Sequence, residues 1–274
     1  MNCLICNAET KYYFSKKYTE PPFDHFMKDI GEVFYYQCPF CGFTISKTHC
    51  DLDEQRWEKL NFDFHHYLET RSDNETEINQ PPYIQQAIML KILAENEIIN
   101  LSNSVDYGGG YGTLSILLKK YFDQSISVYD PFMQKEDNGI YLTKEELKKH
   151  PTVFNSGLFE HLTTRASFDE INDCVSDDGC MVIHTRISGY IPKDPDWFYL
   201  NPPVHCAFHT NKSMEILMEQ WGYISSIYCL TGRCWVLLKR ENVDVKSKID
   251  LINKELQANY LTYKKGFVDF WKEY

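Results

Sequence analysis

No apolar run in this 274-residue chain approaches the roughly 20 residues needed to cross a bilayer, and no basic-then-apolar stretch of the secretory kind opens it. The expectation is a soluble, cytoplasmic protein with no membrane partner. Positive charge is also short. There are 28 Lys and Arg against 39 Asp and Glu, a net charge of −11, and that field repels phosphate backbones. No nucleic-acid partner is expected. Apolar content is not lacking: 43% hydrophobic and 15% aromatic residues exclude general disorder and suit one large domain or one domain with an appendage.

Ten cysteines in such a protein point to metal ligands or buried thiols rather than disulfides. Cys3-Leu4-Ile5-Cys6 and Cys38-Pro39-Phe40-Cys41-Gly42 are two C-x-x-C pairs, matching tetrahedral thiolate coordination of a structural Zn²⁺ by Cys3, Cys6, Cys38 and Cys41. Proline stiffens the second turn, and the glycine lets backbone N–H groups face the sulfurs. The insert between the pairs is about 30 residues, against the usual 15–20; strands at Tyr12-Tyr13-Phe14 and Val33–Tyr36 would fill it. His49 or Cys50 could replace one ligand. The other six cysteines read as core filler.

The most informative stretch is Val105-Asp106-Tyr107-Gly108-Gly109-Gly110-Tyr111-Gly112-Thr113. An apolar lead-in, a carboxylate and glycines at alternate positions precede Leu114–Lys120, which is apolar at helical spacing. This predicts strand, tight turn and helix, with backbone laid bare for a ligand and a helix N-terminus facing it. A dinucleotide fingerprint is excluded, because the third position of G-x-G-x-x-G falls on Thr113. Asp130 ends the next predicted strand, Ile126–Asp130, roughly 20 residues on, where an acidic side chain can grip ribose hydroxyls.

Pro81-Pro82 opens a predicted helix, Tyr83–Ile99. Before it, Trp57, Phe62, Phe64, His65, His66 and Tyr67 form either a lid or a helix packed on the core, and Arg71–Glu77 reads as a surface loop. Beyond Asp130 come strands Thr152–Asn155 and Cys180–Thr185 flanking a helix (about Ser167–Val175) and a turn at Asp177-Asp178-Gly179. A helix at Lys212–Gln220 and strands Tyr223–Cys229 and Arg233–Leu238 follow. The pattern predicts an α/β fold, a Rossmann-like doubly wound sheet, with a small N-terminal zinc-binding subdomain. The expected division is 1–55 for zinc binding, 56–240 for the main domain and 241–274 for a helical extension packed on its own domain.

The D-x-G-x-G-x-G pattern with Asp130 resembles the first motifs of the class I S-adenosylmethionine-dependent methyltransferases. Phe159-Glu160-His161-Leu162 resembles the "EHL" segment of the small-molecule family that contains the ubiquinone-type O-methyltransferases. Asp177-Asp178-Gly179 stands where that family has its L-x-P-G-G turn, and His205–Thr210 is similar to its H-x-x-x-F-T/S stretch. The four-cysteine motif in front is similar to that of sugar C-methyltransferases, which are longer. The resemblance implies S-adenosylmethionine as cofactor and a small-molecule acceptor, such as a sugar, a nucleotide-sugar or a capsule-related metabolite. Three features depart from the family. Gly109-Gly110 replaces the usual cysteine-glycine, the third strand is cut short, and Asn201-Pro202-Pro203-Val204 imitates an N-P-P-Y motif without the ring that would stack on a flipped base.

Expected cofactor-binding residues are Asp106, Gly108, Gly110, Tyr111, Gly112, Asp130, Pro131 and Asn155, with Glu136, Asp137 or Asn138 toward the adenine. Methyl transfer needs alignment of the acceptor and removal of a proton, which suits a histidine near neutrality. His161 and His205 are the candidate bases, and Glu160 orients a histidine or binds the cofactor's amino end. Arg186, Trp197, Tyr199 and His209 are candidate acceptor contacts. Two other functions compete: an RNA base methyltransferase with a zinc element, and a non-catalytic assembly module on the same fold. A monomer or homodimer is expected.

Overall fold

The structure is a computed structural model and describes residues 1–70, 81–132 and 139–269. In chain order its elements are β1 (Lys11–Lys16), α1 (Phe23–Met27), β2 (Val33–Gln37), β3 (Thr44–Ser46), α2 (Lys47–Cys50) and α3 (Glu54–Thr70). Then come α4 (Tyr83–Glu95), β4 (Val105–Tyr107), α5 (Thr113–Phe122), β5 (Ser127–Tyr129), β6 (His150–Ser156), α6 (Arg165–Asp173) and β7 (Val175–His184). The last are β8 (Ile187–Ser188), β9 (Ala207–Thr210), α7 (Asn211–Gln220), β10 (Ser225–Cys229), β11 (Cys234–Leu238), α8 (Val245–Leu256) and β12 (Leu261–Lys265).

The chain divides into two compact units. Met1–Asn79, Glu160–Ser167 and Arg186–Ser213 form the first; Gln80–Phe159, Phe168–Thr185 and Met214–Tyr274 form the second. This differs from the division expected at residues 55 and 240. Residues beyond 55 join the cysteine-bearing unit because β9 pairs with β3 and Phe208, Trp197 and Leu200 share a core with Phe14, Tyr35 and Phe64. The C-terminal segment joins the second unit because β12 pairs with β10.

The second unit holds a seven-stranded sheet in the order β12-β10-β11-β7-β6-β4-β5. β5, β4, β6 and β7 run parallel, and β11 turns antiparallel on β7. The chain goes from β4 outward to β5 and then back across to β6, so the order reverses at β4, where open α/β sheets bind ligands beyond the strand ends. β10 and β11 are buried at every residue, the pattern of strands covered on both faces. One face packs on α4, α5 and α8 through Leu90, Leu93, Leu114, Leu118, Ile249 and Ile252. The expected third strand is reduced to a single parallel bridge, Val128 to Tyr141, with Val128 N–H donating to Ile140 O at 2.8 Å and Leu142 N–H to Val128 O at 2.7 Å.

Three predicted boundaries move. Asp177-Asp178-Gly179 is a bulge inside β7 rather than a turn before it: His150 faces Val175 while Thr152 already faces Cys180. Gly179 is required there, since a Cβ would meet Pro151 O at 2.8 Å. The helix from Tyr83 stops at Glu95, and Ile98 and Ile99 are buried in the turn after it. The C-terminal stretch is not one helix. α8 ends at Gln257 in a left-handed conformation, and Asn253 pairs both ways with Leu261, Nδ2 to O at 2.7 Å and N–H to Oδ1 at 2.9 Å. Tyr263 therefore lies on a strand, and Phe267 stacks on Trp235 within the same unit. Phe270 and Trp271, the run 71–77 and Glu136, Asp137 and Asn138 lie outside the described residues.

The first unit carries a five-stranded sheet, β1-β2-β3-β9-β8. α3 is the helix packed on its core: Leu60 and Phe64 are buried, and Phe26 lies edge-on to Phe64. Among the described residues no helix is long and apolar enough to cross a membrane.

Candidate functional site

In the second unit the glycine turn is built as its sequence dictates. β4 delivers Asp106 and Tyr107, and Gly108 N–H donates to Tyr129 O at 2.7 Å, joining the turn to the end of β5. Gly110 (φ +51°) and Gly112 (φ +71°) need the left-handed region, and Gly112 caps α5. Gly109 was the unexpected one. Its φ is ordinary, yet a Cβ there would lie 2.7 Å from Asp106 Oδ2 and 3.0 Å from Val128 Cγ1. A Cβ on Gly110 would meet nothing within 4 Å, so the loop shows a bare open face. Asp130 braces it: Gly110 N–H donates to Oδ2 at 2.8 Å and Phe132 N–H to Oδ1 at 2.9 Å. From the vestigial third strand, Tyr141 Oη donates to Gly110 O at 3.0 Å, a contact no spacing announced. Tyr111 and Phe132 beside the loop are exposed, as is Pro131.

Two polar groups under this edge are buried without partners among the described residues. Asp106 Oδ1 is one; both side-chain polar atoms of Asn155, at the carboxyl end of β6, are the others. Burial, and then the charge of Asp130, push the Asp106 carboxyl up to about 8. The folded state thus keeps a proton that the unfolded chain releases above its ordinary 3.8. Through this group the ligand-free protein loses stability as pH rises from about 4 to about 8. Thermal melts across that window should show this slope, and Asp106→Asn should remove it; an unchanged slope in the variant would contradict the assignment.

Next along the edge, Gln86 of α4 donates from Nε2 to Ser156 Oγ at 3.2 Å, and Ser156 Oγ lies 3.1 Å from His184 Nδ1. Sequence reading passed over all three, since a lone histidine closing a strand carries no pattern.

The first unit gathers most of the other candidates. Glu160 and His161 form one tight turn, Phe159–His161, and His205 precedes β9. Cys206 N–H donates to Glu160 O at 2.8 Å and ties the two segments. The His161 ring lies 5.1 Å from that of His205 and 5.2 Å from that of His65 on α3. Tyr199 Oη donates to Glu160 Oε1 at 2.7 Å and accepts from Arg186 N–H at 3.2 Å. Arg186 sits over the rings of Phe198 (5.0 Å) and Trp197 (5.8 Å). Burial, followed by the neighbouring histidines, holds His161 well below the ordinary 6.5, and burial takes His205 down to about 4, so both are neutral at pH 7.

His209 and His49 are not part of this cluster. His209 is fully buried on β9 with its ring 4.9 Å from Phe43, and burial lowers it to about 3. His49 has both ring nitrogens engaged, Nδ1 with Ser46 Oγ at 2.6 Å and Nε2 with Pro203 O at 2.9 Å, and Cys50 Sγ donates to Thr163 O at 3.3 Å. Neither replaces a cysteine of the metal set. The 201–204 loop is buried at Pro202, Pro203 and Val204.

The four expected cysteines do converge. Their Sγ atoms all lie within 4.8 Å of one another, with Cys3–Cys41 at 3.6 Å and Cys6–Cys38 at 3.4 Å. Tetrahedral bonds of about 2.3 Å would set sulfurs roughly 3.8 Å apart, so the cage fits zinc closely. As thiols alone they oppose one another: a hydrogen bond from Cys41 lowers Cys3 to about 5, whereas burial raises Cys6 to about 11 and the partner Cys3 raises Cys41. A divalent cation would favour the thiolate at all four. Gly42 follows with φ +74° and packs on Thr210, whose hydroxyl donates to Cys41 O.

No family model matches the sequence, and no curated protein does. Among solved structures, the chain is similar to magnesium protoporphyrin IX methyltransferase from Synechocystis PCC 6803 with bound SAH, at 14% identity and a TM-score of 0.41, over 67% of this chain and 95% of that one. It is similar to the plantazolicin methyltransferase BpumL in complex with a pentazolic desmethylPZN analog and SAH, at 8% identity and a TM-score of 0.45, over 68% and 94%. A putative S-adenosyl-L-methionine-dependent methyltransferase from Methanococcus maripaludis gives 17% identity and a TM-score of 0.41, over 71% and 99%.

Proposed function

We propose that this chain is an S-adenosylmethionine-dependent methyltransferase acting on a small polar acceptor: a sugar, a nucleotide-sugar or a capsule-related metabolite. The observation that carries the reading is the glycine turn, with its open face at Gly110 and the Asp130 carboxylate bonded across it. Loop amides and the α5 N-terminus suit the cofactor's backbone-facing polar groups, and Asp130 its ribose hydroxyls. Gly108 and Gly112 shape the loop, and Tyr111 and Pro131 flank it. Asp106 and Asn155 fit the amino-acid end, because each offers buried polar atoms with no partner among the described residues. Bound there, the cofactor supplies an electrophilic methyl on a sulfonium.

In the same reading, the Glu160, His161 and His205 group serves the acceptor, orienting its hydroxyl or activated carbon and handling the proton it loses. Tyr199, Trp197 and Arg186 would line its binding surface, with the guanidinium suited to a phosphate or carboxylate. The cysteine cage would hold a structural Zn²⁺. The net charge of −11 favours a small molecule over RNA, and the preserved glycine turn favours an enzyme over an assembly module.

Equilibrium dialysis with labelled S-adenosylmethionine tests the reading: micromolar binding, displaced by the demethylated product and not by NAD, is expected. Absence of binding, or displacement by NAD, would sink it. With an acceptor in hand, His161→Gln is expected to lower kcat by about 10²–10⁴ with cofactor affinity unchanged. Near-normal turnover would remove His161 from the reaction.

A further inference from the structure

We propose that Glu160, His161 and His205 form a second metal site, taking a first-row divalent cation of the zinc or iron(II) class, through which the protein grips an oxygen of its acceptor. This rests on the reading that the cluster serves the acceptor and gives it a chemistry: the histidines act through a shared cation.

One ligand atom from each residue lies within 4.8 Å of one from each of the others. Glu160 and His161 come from a single turn, and the bond from Cys206 N–H to Glu160 O, at 2.8 Å, clamps the His205 segment against it. The backbone therefore holds the two ligand-bearing segments side by side. Ligands bound at about 2.1 Å stand roughly 3 Å apart, so small rotations of three side chains would close the set.

The partners around these groups are those that metal ligands require. His205 Nδ1 lies 2.7 Å from Tyr199 O, so it is the protonated nitrogen, and Nε2 is left with its lone pair. Tyr199 Oη donates to one Glu160 oxygen, as a supporting hydroxyl does for a ligating carboxylate. His161 Nδ1 is buried and has no partner among the described residues. An unmet ring nitrogen in the interior is costly, and a cation would satisfy it.

His49 supplies the contrast within the same unit. It is a buried histidine that packing alone explains, because both its nitrogens are bonded to protein. His161 Nδ1 is bonded to no protein group among the described residues, and it lies in a cluster with a carboxylate and a second imidazole.

Two imidazoles and one carboxylate prefer the zinc, iron or nickel class over magnesium or calcium, which favour all-oxygen sets. Three protein ligands also leave positions open for an acceptor oxygen, unlike the closed cage of four cysteines. Two adjacent oxygens on the acceptor, as on a sugar ring, could chelate there.

The test uses full-length protein stripped with a chelator under reductant and reloaded with cobalt(II) alone. Wild type should take up two equivalents: one with intense thiolate-to-cobalt absorption, one adding only weak visible bands. His161→Gln/His205→Gln should bind one equivalent with the thiolate bands intact, and those bands report at once that the first unit is folded. Cys38→Ser/Cys41→Ser should lose the thiolate bands. If the histidine pair fails to fold, the single variant His205→Asn serves, with the same loss of one equivalent expected. One equivalent in wild type, or two in the folded histidine variant, would overturn the proposal. S-adenosylmethionine binding by a protein with one equivalent would leave the proposed function standing; two equivalents without cofactor binding would do the reverse.

Discussion

If Cys3, Cys6, Cys38 and Cys41 hold the proposed zinc, stripping it is expected to lower the first thermal transition by at least about 10 °C. A structural four-thiolate zinc contributes on the order of 10–16 kcal/mol of apparent binding free energy, and a change of 1 kcal/mol moves the transition of a domain this size by about 2–4 °C. The cage is woven into the first unit and is not a dangling knob. Cys3, Cys38 and Cys41 are buried, with Ile5 between the ligands only 1% exposed. The Arg165 guanidinium donates to Leu4 O and Ile5 O at 3.4 and 3.3 Å, and Thr210 on β9 donates to Cys41 O. Releasing the sulfurs would leave four mutually crowded thiols under these anchors. Calorimetry with and without chelator, alongside metal analysis, checks this; a fully stripped protein melting within about 1 °C of the loaded one would contradict a structural role.

Gly109→Ala is expected to weaken S-adenosylmethionine binding at least 100-fold. The added methyl cannot sit 2.7 Å from Asp106 Oδ2 and 3.0 Å from Val128 Cγ1, both parts of short buried strands, so the loop must move instead. That movement would break the register of Gly108 N–H on Tyr129 O and of Gly110 N–H on Asp130, and the open face would be lost. A hundredfold loss is about 2.7 kcal/mol, within reach of one misplaced charged hydrogen bond plus loop strain. Circular dichroism must show the fold retained. A folded Gly109→Ala protein binding within threefold of wild type would show that the close approach does not matter.

The same glycine shows where sequence reading reaches its limit. Gly108, Gly110 and Gly112 were legible from alternation, because turns that need positive φ leave that mark. Gly109 answers to a side chain folded beneath it, which no spacing encodes. The cysteine cage was legible because each ligand pair is local, four residues of sequence in each of two tight turns. The division into units was not, because Ala207 and Phe208 reach β3 from more than 160 residues away. β12 read as helix because Tyr260, Tyr263 and Phe267 fall at helical spacing, and only the left-handed Gln257 and the pairing with β10 override that periodicity. The Glu160-His161 pair was visible as a motif; its meeting with His205 depends on one backbone bond from Cys206.

Calorimetric titration of wild type and Asp130→Asn with S-adenosylhomocysteine examines the nucleoside pocket most directly. Asp130→Asn keeps one side-chain oxygen as an acceptor for Gly110 N–H, gives up the one that accepts from Phe132 N–H, and removes the charge that would clasp the sugar. Wild type should bind with one site per chain, and the variant at least about 30-fold more weakly, near the 2 kcal/mol of a charge-assisted hydrogen bond. Equal affinities, or no heat from either protein, would mean that the glycine turn does not hold this nucleoside.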